Sequence, residues 1–301
     1  MRHVSLIKAT GLTYHYTKDS VTLHNINLDI EKGSIYGFLG PNGSGKTTTL
    51  SLLLGLLPIQ EGSIEIFGKP LHADRVAILK KIGSLIESPS LYGHLTAHEN
   101  LEVYRAKYGA SRQRIPEVLE VVGLHHTGNK KAKRFSLGMK QRLSIALALL
   151  HNPELLILDE PANGLDPTGI IELRQLIKKL NQEEGMTIVI SSHILAEVEK
   201  MATHIGIISK GQLVFQGPLE ELHALQHKDA VLYLQTSDNT KAFELLHHLK
   251  VVVEGNTMAV TYEDKSELAS ISRLLRTNDI DIFFLQPKEQ NLEEVFIQLT
   301  N

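Results

Sequence analysis

The chain has 301 residues, 42% hydrophobic and 22% charged, with a formal net charge of −3 and no cysteine. This is ordinary globular composition, long enough for one large domain and a smaller one. The faint acidity leaves no basic footprint for a nucleic-acid partner, and the lack of cysteine excludes disulfides and thiolate metal sites.

The opening run MRHVSLIKATGL lacks the long apolar core of a leader peptide, and the longest apolar runs, 143–150 and 155–158, are too short to span a bilayer. A soluble protein is expected, with no direct membrane insertion, so any membrane role passes through a partner. At the start, Val4, Leu6, Leu12, Tyr14 and Tyr16 fall at period two, as do Ile26, Leu28 and Ile30. These predict antiparallel strands in an edge sheet. Glu31-Lys32-Gly33 marks a turn. Residues 34–39 (SIYGFL) predict a buried strand, 47–57 a helix, 63–67 a strand, 75–81 a short helix and 82–86 a short strand. From about residue 88 the pattern turns helical. Thr96-Ala97-His98-Glu99 reads as a capping box ahead of a helix carrying Leu101, Tyr104 and Tyr108 on one face. A second helix is predicted over 116–122, with Pro116 in its first turn. The basic run 130–134 (KKAKR) reads as a solvated turn before a helix over 137–151.

Strands at 155–158, 187–190 and 204–209 then alternate with helices at 168–182 and 194–201. That alternation predicts an α/β fold, a parallel sheet with helices on both faces. After Gly217-Pro218 and a charged helix the pattern restarts. Strands are expected at 230–235, 251–254, 257–262 and 280–286, and helices at 241–248, 265–276 and 291–299. The expected organisation is a main domain over 1–224, with a helical subdomain over about 88–152, and a small C-terminal α+β appendage over 225–301. No internal repeat or low-complexity tract interrupts it.

The stretch FLGPNGSGKTTTL (38–50) organises the rest. Gly40, Gly45, Lys46 and Thr47 have the spacing of a phosphate loop, and a predicted strand precedes them while a helix follows. Glycines leave room for backbone N–H groups to curl around phosphate oxygens, and the helix N-terminus adds partial positive charge. Asn42, Gly43, Ser44, Gly45, Lys46, Thr47 and Thr48 are therefore candidate nucleotide ligands. Lys46 would reach the β- and γ-phosphates, and the Thr47 hydroxyl would hold Mg²⁺. Read without its context, the stretch is a glycine-rich turn.

The apolar run Leu155–Leu158 delivers Asp159 and Glu160 at its C-terminal end, where open α/β sheets bind ligands. Asp159 is placed to hold Mg²⁺ through water, and Glu160 to act as general base on the attacking water. Ser136-Leu137-Gly138 opens a long apolar helix and can present N–H groups and a hydroxyl to a phosphate. Because the phosphate loop already fills that role, this second helix start is best explained by a nucleotide shared with another copy of the chain. A plain serine N-cap is the alternative.

The order GPNGSGKT (40–47), FSLGMKQR (135–142), LLILDEP (155–161), NGLDP (163–167) and SSH (191–193) resembles the nucleotide-binding subunit of an ABC transporter over about residues 1–220. The resemblance implies a P-loop ATPase that uses ATP and Mg²⁺. It also implies a head-to-tail pair of subunits, most simply a homodimer, working with an integral membrane permease from the cytoplasmic face of the membrane. On this chain, Ser136, Gly138 and Met139 would contact a γ-phosphate in trans, and Asp166 would bridge the two sites. His193 would contact the γ-phosphate and hold catalytic geometry. An upstream aromatic stacks on adenine in that family. Tyr16 is the choice here and Tyr14 the alternative, since period two would aim both at one face. The signature departs from the commonest LSGGQ form. Glu87 stands where most relatives carry glutamine, in a position implied to coordinate Mg²⁺ or the lytic water and to face the permease. The 86–101 stretch around it, and the ending NLEEVFIQLT, are similar to subunits exporting bacitracin and lantibiotic peptides. The competing reading is a soluble ABC-type mechanical ATPase acting on ribosomes or DNA without a permease. Such relatives carry two nucleotide domains in one chain or a long coiled-coil insertion, and neither is present in this sequence.

Overall fold

The computed structural model describes residues 4–17, 20–86, 91–227, 231–262, 265–288 and 291–300. The chain divides into two compact units, Met1–Pro218 with Leu299–Asn301, and Leu219–Gln298. In chain order the first contains β1 (Ser5–Thr17), β2 (Ser20–Glu31), β3 (Ile35–Leu39), α1 (Lys46–Leu53), β4 (Glu61–Ile66), β5 (Lys69–Pro70), α2 (Leu71–Leu79) and β6 (Ile82–Leu85). The helical stretch follows, with α3 (Ala97–Tyr108), α4 (Arg114–Val121) and α5 (Leu137–Leu149). The unit closes with β7 (Leu155–Leu158), α6 (Pro167–Glu184), β8 (Thr187–Ser192), α7 (Leu195–Val198), β9 (His204–Ser209) and β10 (Gln212–Pro218).

Two sheets form from these strands. The six-stranded one runs β10-β9-β3-β8-β7-β6, parallel throughout except for β10, which pairs antiparallel to β9. Its central strands are apolar end to end: every residue of β3 and β7 is buried. A sheet covered on both faces demands this, and each fully buried leucine or isoleucine contributes about 1.5–3 kcal/mol. Glycines allow the closest approaches. A Cβ on Gly37 of β3 would lie 2.1 Å from Val198 Cγ1 of α7. The parallel order places the C-terminal ends of β3, β7 and β8 side by side, and those ends carry the phosphate loop, the Asp159-Glu160 pair and the Ser-Ser-His segment.

The edge sheet runs β2-β1-β4-β5 and is antiparallel, as the alternation predicts. One detail differs. Bulges interrupt the β1–β2 register around Tyr14 and His15, which breaks period two. Tyr14 is buried at 6% exposure while Tyr16 stands 61% exposed, with the two rings in edge contact at 5.0 Å. Strand β10 has no counterpart in the sequence reading. Its hairpin turn, Lys210-Gly211, has φ of 49° and 75°, the positive pair that a two-residue type I′ turn requires.

In the helical stretch, α3 begins with the predicted capping box. Thr96 Oγ1 accepts from Glu99 N at 3.1 Å, and Thr96 N donates to Glu99 Oε2 at 2.6 Å. These bonds and the Lys131 ammonium 3.0 Å away lower the Glu99 carboxyl to about 2. Helix α6 has Asp166 as N-cap, Pro167 at its first turn and Gly185 in the left-handed region at its end.

The second unit contains α8 (Leu219–Ala224), β11 (Val231–Thr236), α9 (Asn239–Leu245), β12 (Val251–Glu254), β13 (Thr257–Thr261), α10 (Lys265–Thr277), β14 (Ile282–Lys288) and most of α11 (Leu292–Thr300). Its four strands form an antiparallel sheet in the order β12-β13-β11-β14. Leu232, Leu234, Met258 and Val260 alternate onto one face and pack with Ala242, Leu246, Ile271 and Leu275 of the helices. This is an α+β unit with a core of its own. Among the described residues, no helix is long and apolar enough to cross a membrane.

Candidate active site

The loop between β3 and α1 is a cradle with the Cβ positions of Gly40 and Gly45 already filled. A Cβ on Gly40 would meet Ile208 O at 2.3 Å, and one on Gly45 would meet Leu23 Cδ2 at 2.5 Å. Gly43 and Gly45 also hold φ of 79° and 110°. Ser44 Oγ is buried and, among the described residues, has no hydrogen-bond partner within the cradle. The cleft above measures about 470 Å³ and is lined by Tyr16, Asn42, Gly43, Gly45, Lys46, Thr47, Thr48, Glu160 and His193, together with Thr22 and Asn163. The last two were not singled out from sequence. Asn163 lies in the NGLDP segment, and its N–H donates to Glu160 O at 3.1 Å.

Lys46 is 6% exposed. Its ammonium donates to Gly40 O at 2.8 Å and Pro41 O at 3.3 Å and lies 3.2 Å from Glu160 Oε1. The other Glu160 oxygen accepts from His193 Nδ1 at 2.8 Å. Glu160 therefore sits between two donors at the cleft wall, held by a backbone at φ 47°, unusual for a residue with a Cβ. Asp159 ends β7 beside it. Thr47 Oγ1 donates to Asp159 Oδ2 at 2.8 Å, and Ser191 Oγ donates to Asp159 Oδ1. The Thr47 hydroxyl and Asp159 carboxylate together are a hard-oxygen donor pair of the kind that suits Mg²⁺. Near this cluster, burial raises the Glu197 carboxyl above its usual range, with Glu160 adding to the effect.

Tyr16 stands at the cleft rim, its hydroxyl 3.3 Å from Thr48 Oγ1 and its ring edge-on to Tyr14 at 5.0 Å. The signature residues lie apart from this cleft. Ser136 caps α5, its Oγ accepting from Met139 N at 3.2 Å, and Asp166 caps α6, accepting from Gly169 N at 2.9 Å. The two caps are neighbours within the chain. Leu137 Cδ2 would lie 3.1 Å from a Cβ on Gly164, and Leu165 Cδ2 3.9 Å from one on Gly138. Ser136, Gly138, Met139 and Asp166 thus share one surface patch separate from the phosphate cradle. Glu87 lies outside the described residues.

Residues 23–163 match the family model described as ABC transporter. The bacitracin transport ATP-binding protein BcrA of Bacillus licheniformis is 44% identical, covering 98% of this chain and 97% of the relative. The lantibiotic transport ATP-binding protein SrtF of Streptococcus pyogenes is 46% identical over 70% of this chain and 90% of the relative. Among solved structures, cbiO1 from Clostridium perfringens, part of the ABC transporter complex cbiONQ, superposes with a TM-score of 0.68. It shares 29% identity and covers 73% of this chain and 91% of its own. The dimeric post-hydrolysis structure of the ATP-binding cassette MJ0796 with ADP and Pi has a TM-score of 0.63 and 30% identity, over 71% and 98% of the two chains. A chain this similar, almost end to end, to ATP-binding subunits of transporters belongs to the ABC transporter family, and it is an ATP-binding subunit and an ATPase.

Proposed function

We propose that the chain works as a homodimer at the cytoplasmic face of the membrane, where ATP turnover with Mg²⁺ drives a separate permease that exports a peptide antibiotic of the bacitracin or lantibiotic type. The observation that carries the substrate class is the 44% identity to a bacitracin transport subunit along 98% of the chain. It extends through the second unit, beyond the part that all ABC ATPases share.

In this reading the cradle holds the triphosphate, with Lys46 exchanging the Gly40 and Pro41 carbonyls for phosphate oxygens and Tyr16 lying against adenine. Bound Mg²⁺ would neutralise charge between the phosphates, and Thr47 and Asp159 are the residues placed to hold it. Glu160 takes a proton from water as the water oxygen bonds to the γ-phosphorus. The bond to the β-phosphate oxygen breaks, and ADP and inorganic phosphate leave. His193 orients Glu160 through Nδ1. Ser136, Gly138 and Met139 of one copy close over the nucleotide of the other, with Asp166 between the two sites.

An apolar groove of about 690 Å³ between α1, α2 and the helical stretch supports a permease partner. Leu56 is 61% and Val76 71% exposed there, beside Tyr108 and His151. Co-expression with a six-helix permease tests the reading. The full complex should co-purify, and bacitracin or a lantibiotic should stimulate its ATPase. Leu56→Asp with Val76→Glu should release the permease and leave the free chain's ATPase intact, because exposed substitutions change stability by only about 0.5 kcal/mol. A complex whose turnover no such peptide alters defeats the substrate assignment.

A further inference from the structure

Ser191 is fully buried near the end of β8, after three apolar residues, Ile188, Val189 and Ile190. The β7–β8 register sets Leu158 opposite Ile190, so Asp159 and Ser191 are the next residues on adjacent strands. Across the other side of β8, Phe38 of β3 is in register with Ser191, one residue before the strand hands over to the phosphate loop. The hydroxyl therefore stands where the two functional strand ends meet.

Its hydrogen bonds define its state. Glu160 N donates to Ser191 Oγ at 2.8 Å. An amide N–H can only donate, so the hydroxyl must be the acceptor there, which aims its own proton at Asp159 Oδ1. Asp159 is thereby pinned at both oxygens, by Ser191 on Oδ1 and by Thr47 on Oδ2. The same hydroxyl anchors the N–H of the residue that holds φ at 47°. That anchoring turns the Glu160 carboxylate toward Lys46 and His193.

We propose that Ser191 is a positioning residue for ATP hydrolysis, which locks the cation-holding carboxylate and the general base into one geometry through a single buried hydroxyl. The inference rests on the roles given above to Asp159 and Glu160. Removal of the hydroxyl frees one oxygen of Asp159 and leaves the strained Glu160 peptide without its acceptor. Partners that orient a metal-holding group are worth about 10–100-fold in metal affinity or activity when removed.

The test compares full-length Ser191→Ala, Ser191→Thr and Glu160→Gln with the parent chain. Steady-state ATPase gives kcat and KM, Mn²⁺ with ADP read by EPR gives cation affinity, and ADP titration in EDTA reports the metal-free cradle. Ser191→Ala should lower kcat and weaken Mn²⁺ by about 10–100-fold, with KM and metal-free ADP affinity unchanged. Ser191→Thr, which keeps the hydroxyl, should recover both losses; if its melting point shows that the extra methyl unfolds it, Ser191→Cys takes its place with a partial recovery expected. Wild-type kcat and Mn²⁺ binding in Ser191→Ala overturn the inference. So does loss of metal-free ADP affinity in step with kcat, or a folded hydroxyl-bearing variant no better than alanine. An inactive Glu160→Gln beside a fully active Ser191→Ala removes this inference alone, whereas an active Glu160→Gln removes the base assignment beneath it.

Discussion

His193 Nδ1 lies 2.8 Å from Glu160 Oε2, so the histidine keeps a proton on the side of that carboxylate. A carboxylate only accepts, which leaves Nε2 of a neutral ring without a proton to offer a phosphate. For His193 to donate to a γ-phosphate, the ring must turn from Glu160 or take a second proton. Lys46, 3.2 Å from the other oxygen, is likewise engaged. Nucleotide arrival therefore has to reorganise both donors around Glu160. Glu160→Gln keeps the shape and removes the charge. It should lower kcat by about 10²–10⁴-fold, with ATP affinity by calorimetry unchanged or tighter because one negative charge near the phosphates is gone. Wild-type phosphate release by the variant would remove Glu160 from the role of base.

The two tyrosines of β1 should separate cleanly. Tyr16→Ala removes an exposed ring and should cost about 1–3 kcal/mol of ADP affinity, the range for an aromatic under a base, with the melting point almost unmoved. Tyr14→Ala empties a core position and should cost about 3–5 kcal/mol of stability. Fluorescent-nucleotide titration and thermal unfolding read the two effects. A Tyr16→Ala chain with parental ADP affinity would eliminate the stacking role.

His151 makes stability depend on pH near neutrality. Burial is the main cause that lowers its pKa, and Arg114 adds to it, while the bond between Nε2 and Ile82 O at 3.0 Å opposes them. Its Nδ1 is buried and has no partner among the described residues, and Tyr108 covers the ring at 4.9 Å. With the folded value depressed, the contribution is fully present above the unfolded value of about 6.5. It is lost as pH falls from there through the folded value, because the unfolded chain takes the proton first. Melting points between pH 7.5 and 5.5 should therefore fall less steeply for His151→Gln than for the parent. Parallel curves would contradict the assignment.

The cleft was legible wherever chemistry compresses into short, ordered segments. Gly40, Gly45, Lys46 and Thr47 are contiguous enough for their spacing to carry meaning, and Asp159-Glu160 follows an apolar strand that only a buried sheet explains. Tyr14 and Tyr16 were not separable by period two, because their rings touch at 5.0 Å and only burial, 6% against 61%, tells them apart. Strand β10 escaped because Gln212 and Gln216 dilute its apolar pattern at an edge. The Lys210-Gly211 pair is the available signal for the hairpin. Ser191 was hidden for another reason. A serine after an apolar strand looks like the strand's exit, and its partners, Asp159 and Glu160, belong to a different strand end.

The same Lys210-Gly211 hairpin bears on binding thermodynamics. Gly211 N donates to Ser44 O at 3.0 Å, and from the opposite side Gly40 N donates to Ser192 O at 3.3 Å. Thr49 Oγ1 ties Gly45 O at 2.9 Å from within the helix. A loop tethered at three points has little configurational freedom left to surrender, so phosphate capture pays only a small ordering entropy. The Gly40 and Ser44 amide protons, bonded to Ser192 O and Pro41 O, should already resist solvent exchange before any nucleotide arrives. The glycines that make this stretch look supple in the sequence serve a loop that is stiff.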